Sequence, residues 1–486
     1  MKQLIYQLLP RLWGNGRFSG IDAESLRYFK SLGMDYLWYT GIIRHASAST
    51  GEKVVKGEAG SPYAITDYYD VNPYLADHPA QRMEEFGQLL ERTHRAGLKV
   101  LIDFVPNHVA REYKGELGQQ DDRSVHWKAE NDFYYYPGEK LALPLPCKGY
   151  SEFPARASGN CFSSAPALTD WYETVKINYC DFHTPTWDKM LDIVLFWAGK
   201  GVDGFRCDMV ELVPPQFMQW LIAKVKEKFP EQLFVAEVYE KDKYRMYLED
   251  VGFDMLYDKS GLYDTLRAIT CSNASAKGIS WNWQFLGPLQ ARMLNFLENH
   301  DEQRLASGFF CGSAQKAYAA LAVSLLLNQA PFMLYFGQEI GERGMDNEPF
   351  SGLNGRTTIF DWWTVQSLQR LHKEILEGKG VRKEEKAILK RYKELLALSK
   401  TPAFSEGKTY DLCYCQDADN FHADRHFAFL RNGGGKCFLV VANFSGESEI
   451  SVRIPADALT YLGIKAVRTV YTLTVSAFDY AIIEVQ

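Results

Sequence analysis

No stretch of this chain approaches the roughly 18 consecutive apolar residues of a membrane span, which argues against a membrane protein. Basic residues are not in excess either. Lys and Arg number 54 against 61 Asp and Glu, a net charge of -7, so nothing marks a surface for nucleic acid or anionic lipid. The opening MKQLIYQLLPRLWGNG has one early Lys and a short apolar run without a small-residue cleavage site. It does not read as a secretory signal, and a cytoplasmic location is expected. The nine cysteines are odd in number and scattered without metal-ligand spacing, which disfavours both a disulfide framework and a cysteine metal site. Cys413 and Cys415 stand two apart on what reads as a strand, too close for an easy bridge. Low-complexity segments are absent.

What is present is a recurring unit: an amphipathic stretch, a glycine, then an apolar strand. DAESLRYFKSLG precedes MDYLWYTG, QRMEEFGQLLERTHRAG precedes LKVLIDFV, and DKMLDIVLFWAGKG precedes VDGFRCDMV. Such units call for parallel strands joined by crossover helices. With IYQLLP near residue 5 and the candidates at 233–238, 253–258, 293–300 and 331–337, the strands number eight. Eight parallel strands predict a closed (β/α)8 TIM barrel. The spacing is uneven in one place, after DFVPNHV, where an aromatic-, Gly- and Pro-rich interval precedes the next helix. An insertion there overhangs the mouth of the barrel. Beyond residue 400, short β-branched and aromatic segments read as an antiparallel β-sandwich domain. The division is 1–108 and 181–395 for the barrel, 109–180 for the insertion and 396–486 for the β domain.

GVDGFRCDMV poses a sharper question, because Arg206 and Asp208 share one face of an otherwise apolar strand. Three other strands also end in polar clusters: DFVPNH (Asp103, Asn107, His108), FVAEVYE (Glu237, Glu240) and FLENHDEQR (Glu298, His300, Asp301, Arg304). Barrel enzymes place their chemistry at these C-terminal ends, so the four clusters converge on one mouth. Asp208 beside Arg206 is expected to stay ionised, while Glu237, after apolar LFVA and near other anions, is expected to hold its proton. That pairing is the requirement for cleaving a glycosidic bond with retention. Asp301 offers a third carboxylate for sugar hydroxyls or a developing positive charge.

These four blocks, in this order and at these strand ends, resemble those of the α-amylase family, glycoside hydrolase family 13. SPYAITDYYDVNP, WYETVKINY and YFGQEIG are similar to further landmarks, so the resemblance spans roughly residues 1–365. It implies Asp208 as nucleophile, Glu237 as general acid/base and Asp301 as transition-state stabiliser. It further implies Arg206 as the nucleophile's partner, His108 and His300 as residues that hydrogen-bond the sugar, Tyr63 as its stacking platform and Asp103 as a support from below. The insertion is similar to the family's domain B and the β tail to its domain C. Asn107 matches a calcium-ligand position, which makes Ca2+ a candidate cofactor, although no acidic partner stands out in the insertion and no DxDxDG-type loop lies near residue 15.

The chain also departs from the family pattern. Glu211 and Leu212 stand where many endo-acting members have Lys-His, and Ala64 follows Tyr63 where exo-acting members have Asp, although the matching Arg survives as Arg304. An alanine cannot hold a terminal hydroxyl, which favours an endo-acting enzyme on α-1,4-linked maltooligosaccharides, starch or glycogen. The alternatives are a cyclomaltodextrinase- or neopullulanase-like hydrolase and an α-glucan transglycosylase. A non-catalytic glucan-binding protein is disfavoured because all three carboxylates are present. Taken singly, Arg206–Asp208 reads as a buried ion pair, Glu240 and Glu298 as solvated or supporting groups, and the Tyr134–Tyr136 run as packing. The joint occurrence of four ordered clusters outweighs those readings. Oligomeric state is not readable from the sequence.

Overall fold

Three of the helix–glycine–strand units close in the same way. Gly33, Gly97 and Gly201 all sit at positive φ (82°, 74° and 98°), the left-handed turn that ends each helix and releases the chain into a strand. The structure, a computed structural model, describes residues 2–417, 419–465 and 467–486. Strands β1 (Leu4–Leu8), β2 (Tyr36–Tyr39), β3 (Lys99–Phe104), β4 (Gly204–Cys207), β5 (Leu233–Ala236), β6 (Met255–Tyr257), β7 (Met293–Phe296) and β8 (Phe332–Tyr335) form a closed barrel. Neighbours in sequence pair in parallel, and β8 returns to β1 with Phe332 opposite Leu4. Every residue of these strands except Lys99 is buried. Helices cover one side and packed side chains fill the other, so the strands read as apolar runs without alternation.

The helix Arg82–Arg95 shows how the outer layer is held. Phe86, Leu89, Leu90 and Thr93 face inward at helical spacing, while Arg92, His94 and Arg95 occupy its last turn. Each large apolar side chain contributes about 1.5–3 kcal/mol as an upper estimate.

The segment between β3 and the helix Pro185–Gly199 has little regular structure. His108–Ala110 pairs with Thr174–Lys176, and Tyr135–Tyr136 with Ala155–Arg156. A second excursion, which the sequence spacing did not reveal, follows β2. Residues Ile43–His45 and Ile65–Val71 form an irregular hairpin whose bulges break the period-2 pattern of a regular strand pair. Ala46 and Ala64 of this hairpin pack against Ala110 of the insertion, so the two excursions lean together over the mouth.

After the barrel, Lys408–Asp411, His426–Gly433, Lys436–Asn443 and Tyr480–Glu484 make an antiparallel sheet, accompanied by the pair Ser448–Arg453 and Val470–Val475. Leu430, Leu439, Val441, Ile450, Val452 and Val475 form a separate core between them. Cys413–Cys415 forms a 3-10 turn rather than a strand, and among the described residues all cysteines are free thiols. No helix among them is long and apolar enough to cross a membrane.

Candidate active site

Arg206 is the centre of the site. It is 1% exposed, points into the barrel, and lies opposite Asp103 in the β3–β4 register. One guanidinium nitrogen is 2.5 Å from Asp208 Oδ1 and 3.7 Å from Asp103 Oδ1, and the other is 2.9 Å from Glu237 Oε2. Its Nε donates to the Tyr257 hydroxyl at 3.3 Å, and the rings of Trp38, Tyr63 and Tyr257 surround its plane. The cation and carboxylate on one apolar strand face are therefore two members of a larger cluster in which one arginine faces three acids.

That ratio decides the protonation. A single buried cation cannot neutralise three carboxylates, so a proton is retained. Burial pushes Asp208 up to about 7; Arg206 opposes this and the neighbouring Glu237 adds to it. Burial also raises Asp103. Glu237 accepts the Tyr239 hydroxyl at 2.5 Å on Oε1 and the Met209 amide at 3.0 Å on Oε2, the oxygen that also forms the ion pair with Arg206. Burial thus works against the ionised Asp208 that Arg206 is expected to maintain. Met209 reaches Glu237 because its backbone is left-handed, at φ 44°, a costly conformation for a non-glycine residue.

At the end of β7, His300 Nε2 lies 3.0 Å from Asp301 Oδ2 and 2.6 Å from the Tyr63 hydroxyl, and its Nδ1 meets the Gln7 side chain at 2.9 Å. Burial works against charge on His300, but the Asp301 carboxylate outweighs it and raises the imidazole. Burial likewise opposes charge on Asp301, but His300 holds it at about 2. Tyr63 stacks on His300 at 5.2 Å between ring centres. Asp103 accepts from Trp38 Nε1 at 3.1 Å and sits beneath both.

These groups open onto a cavity of about 320 Å³ lined by Tyr63, His108, Asp208, Glu237, His300 and Asp301. Lys56, Trp171, Glu173, Tyr239 and Phe360 also line it. None of these five was expected. Lys56 in the hairpin excursion and Glu173 in the insertion meet at 3.1 Å, a strap from one overhanging segment to the other. Tyr239 lies only two residues beyond Glu237, the one sequence cue to its place. Glu211 is not free to face a ligand, because its carboxylate accepts the Tyr239 and Glu240 amides at 2.8 and 3.1 Å and pins the loop after β5.

Two residues fall elsewhere than expected. Arg304 is fully buried and forms a 2.8 Å pair with Glu298, with Thr357 and the Phe336 carbonyl as further acceptors, so it faces away from the cavity. Glu298 is accordingly a buried partner rather than a solvated group. Asn107 is fully buried beside His108, and its Oδ1 accepts from Lys176 Nζ. Lys176 also donates to the Leu212 carbonyl at 2.6 Å. A divalent cation bound through Asn107 Oδ1 would need the place that this amino group occupies, so the residues do not fit the calcium expected there.

The family described as "Alpha amylase, catalytic domain" matches residues 11–407. Alpha-amylase 3 of Dictyoglomus thermophilum is 25% identical over 415 residues, covering 81% of this chain and 75% of that protein. In fold, the chain is similar to a maltogenic α-amylase of Thermotoga neapolitana (20% identity, TM-score 0.65, 99% of this chain and 96% of that one). It is equally similar to a cyclic α-maltosyl-(1→6)-maltose hydrolase of Arthrobacter globiformis (18% identity, TM-score 0.69, 99% and 98%). With an eight-stranded barrel, an overhanging insertion and a family match across more than three quarters of its length, the chain belongs to the α-amylase family of glycoside hydrolases.

Proposed function

We propose that the protein hydrolyses α-1,4-glucosidic bonds in maltooligosaccharides, starch or glycogen with retention of configuration, attacking within the chain. The observation that carries this reading is the suspension of Asp208 and Glu237 from the two arms of one guanidinium. That arrangement suits the close carboxylate spacing of about 5 Å used for retention better than the wider spacing used for inversion.

In this mechanism Asp208, kept anionic by Arg206 once substrate is bound, attacks the anomeric carbon and forms a covalent glycosyl ester. Glu237 carries the pair's proton at that moment and delivers it to the departing oxygen, then takes a proton from water as the ester is hydrolysed. Tyr239 is placed to follow the proton on Glu237 through both steps, because its hydroxyl can donate to the carboxylate and accept from the acid. Asp301, held anionic by His300, stabilises the oxocarbenium-like charge, and Tyr63 stacks on the sugar.

A second reading, preference for short or cyclic maltooligosaccharides, is favoured by the Lys56–Glu173 strap and by a cavity near the lower end of the usual range of about 300–1,000 Å³. Incubation with maltoheptaose, a cyclodextrin and pullulan separates the two. Mixed internal products from maltoheptaose support the endo reading, and faster opening of the cyclodextrin supports the second. Binding without release of reducing sugar contradicts both.

A further inference from the structure

Lys176 is a buried amine without an acidic partner. It is 8% exposed and forms no ion pair among the described residues. A lysine so placed is costly unless its hydrogens are used. Both acceptors it meets belong to elements that shape the candidate site. Leu212 ends the turn that follows Asp208, and Asn107 directly precedes His108. Its own strand pairs with that of His108, with Lys176 opposite His108 in register.

The Asn107 amide passes this contact on. Lys176 can only donate here, so the oxygen of the amide must face it and the NH2 group must point the other way. That NH2 group donates to the Gly159 carbonyl at 2.9 Å and meets His108 Nδ1 at 3.1 Å. A ring nitrogen facing an NH2 donor must be the acceptor, so the proton of neutral His108 resides on Nε2. His108 lines the cavity.

We propose that the Lys176 amino group stands in place of a divalent cation at the junction of insertion and barrel, and that through Asn107 it fixes the tautomer in which His108 presents an N–H to the substrate. Lys176 is thus a positioning residue. The amine holds Asn107 Oδ1 and the Leu212 carbonyl as hydrogen-bond acceptors, so no metal is needed to join the insertion to the turn after Asp208.

The wild-type protein tests the first half without mutation. Its melting temperature and kcat/KM are expected to be the same in EDTA, in millimolar CaCl2 and in neither. A melting temperature lowered by EDTA and restored by Ca2+ overturns the proposal. Lys176→Ala tests the second half. Its kcat is expected to fall by about tenfold or more, with millimolar propylammonium restoring part of the loss by refilling the vacated space. Nitrogen NMR of labelled histidine is expected to find His108 as the Nε2–H tautomer in the wild type and as a mixture in Lys176→Ala. An Nδ1–H ring in the wild type, or a Lys176→Ala enzyme with unchanged kcat and unchanged tautomer, overturns it. If the alanine variant does not fold, the metal titration and the tautomer measurement on the wild type still decide the question.

Discussion

The amide of Met209 donates to the carboxylate of Glu237 at 3.0 Å, which ties the residue after Asp208 to the acid on the next strand. Together with Arg206, this contact makes the two acids a single connected unit. In the proposed mechanism neither acid can be replaced by the other. Asp208→Asn and Glu237→Gln are each expected to lose about 10³–10⁴-fold or more in kcat on maltoheptaose, with an unchanged circular dichroism spectrum. They should differ on a maltosyl fluoride, whose leaving group needs no proton. Glu237→Gln should form the glycosyl ester rapidly from it, and Asp208→Asn should not.

Tyr239→Phe removes one of the donors to Glu237. That leaves Oε1 of Glu237 without its hydroxyl partner during proton delivery. The kcat on maltoheptaose is expected to fall several-fold, and an unchanged kcat would remove Tyr239 from the account.

Asp208 also affects stability. Its folded-state pKa is raised to about 7 from an unfolded value near 3.9, so its favourable contribution is complete below that lower value and is lost as pH rises through 7. The Asn variant does not incur this loss. Asp208→Asn is therefore expected to melt close to wild type at pH 4 and roughly 2–4 °C or more above it at pH 8, read by calorimetry.

The His300–Asp301 pair has the opposite signature at its two ends. The raised imidazole loses its contribution as pH climbs above the unfolded value of about 6.5, and the lowered carboxylate loses its own as pH falls from about 3.9 toward 2. The melting-temperature difference between wild type and Asp301→Asn should be widest between about pH 4 and 6.5, and small, because Asp301 is 43% exposed.

The Lys56–Glu173 strap is a specificity element in the second reading. Lys56→Met breaks it and leaves Glu173, which burial already raises, without its cation. The variant is expected to raise KM for a cyclodextrin several-fold while altering KM for soluble starch less.

The barrel and the meeting of four polar strand ends were legible in the sequence because both follow from local pattern. Helix–Gly–strand units specify parallel strands, and a carboxylate at the end of an apolar run points to the mouth. The donors around Glu237 were not legible. They are brought together in space, among them the Met209 amide, whose left-handed backbone no side-chain pattern announces. The Lys56–Glu173 strap and the Lys176–Asn107 contact join segments far apart in the chain, so neither spacing nor composition could bring them together. Arg304 was misplaced for the same reason: a strand-end arginine can face the cavity or be buried with a partner such as Glu298, and only the packing decides which.

The most direct test of the shared-guanidinium pair is to trap the intermediate. The enzyme would be treated with a 5-fluoro maltosyl fluoride, which slows ester hydrolysis, and its peptic peptides analysed by mass spectrometry. A glycosyl adduct on Asp208 is the expected result. An adduct on Glu237 or Asp301, or turnover that releases product of inverted configuration and leaves no adduct, would contradict it.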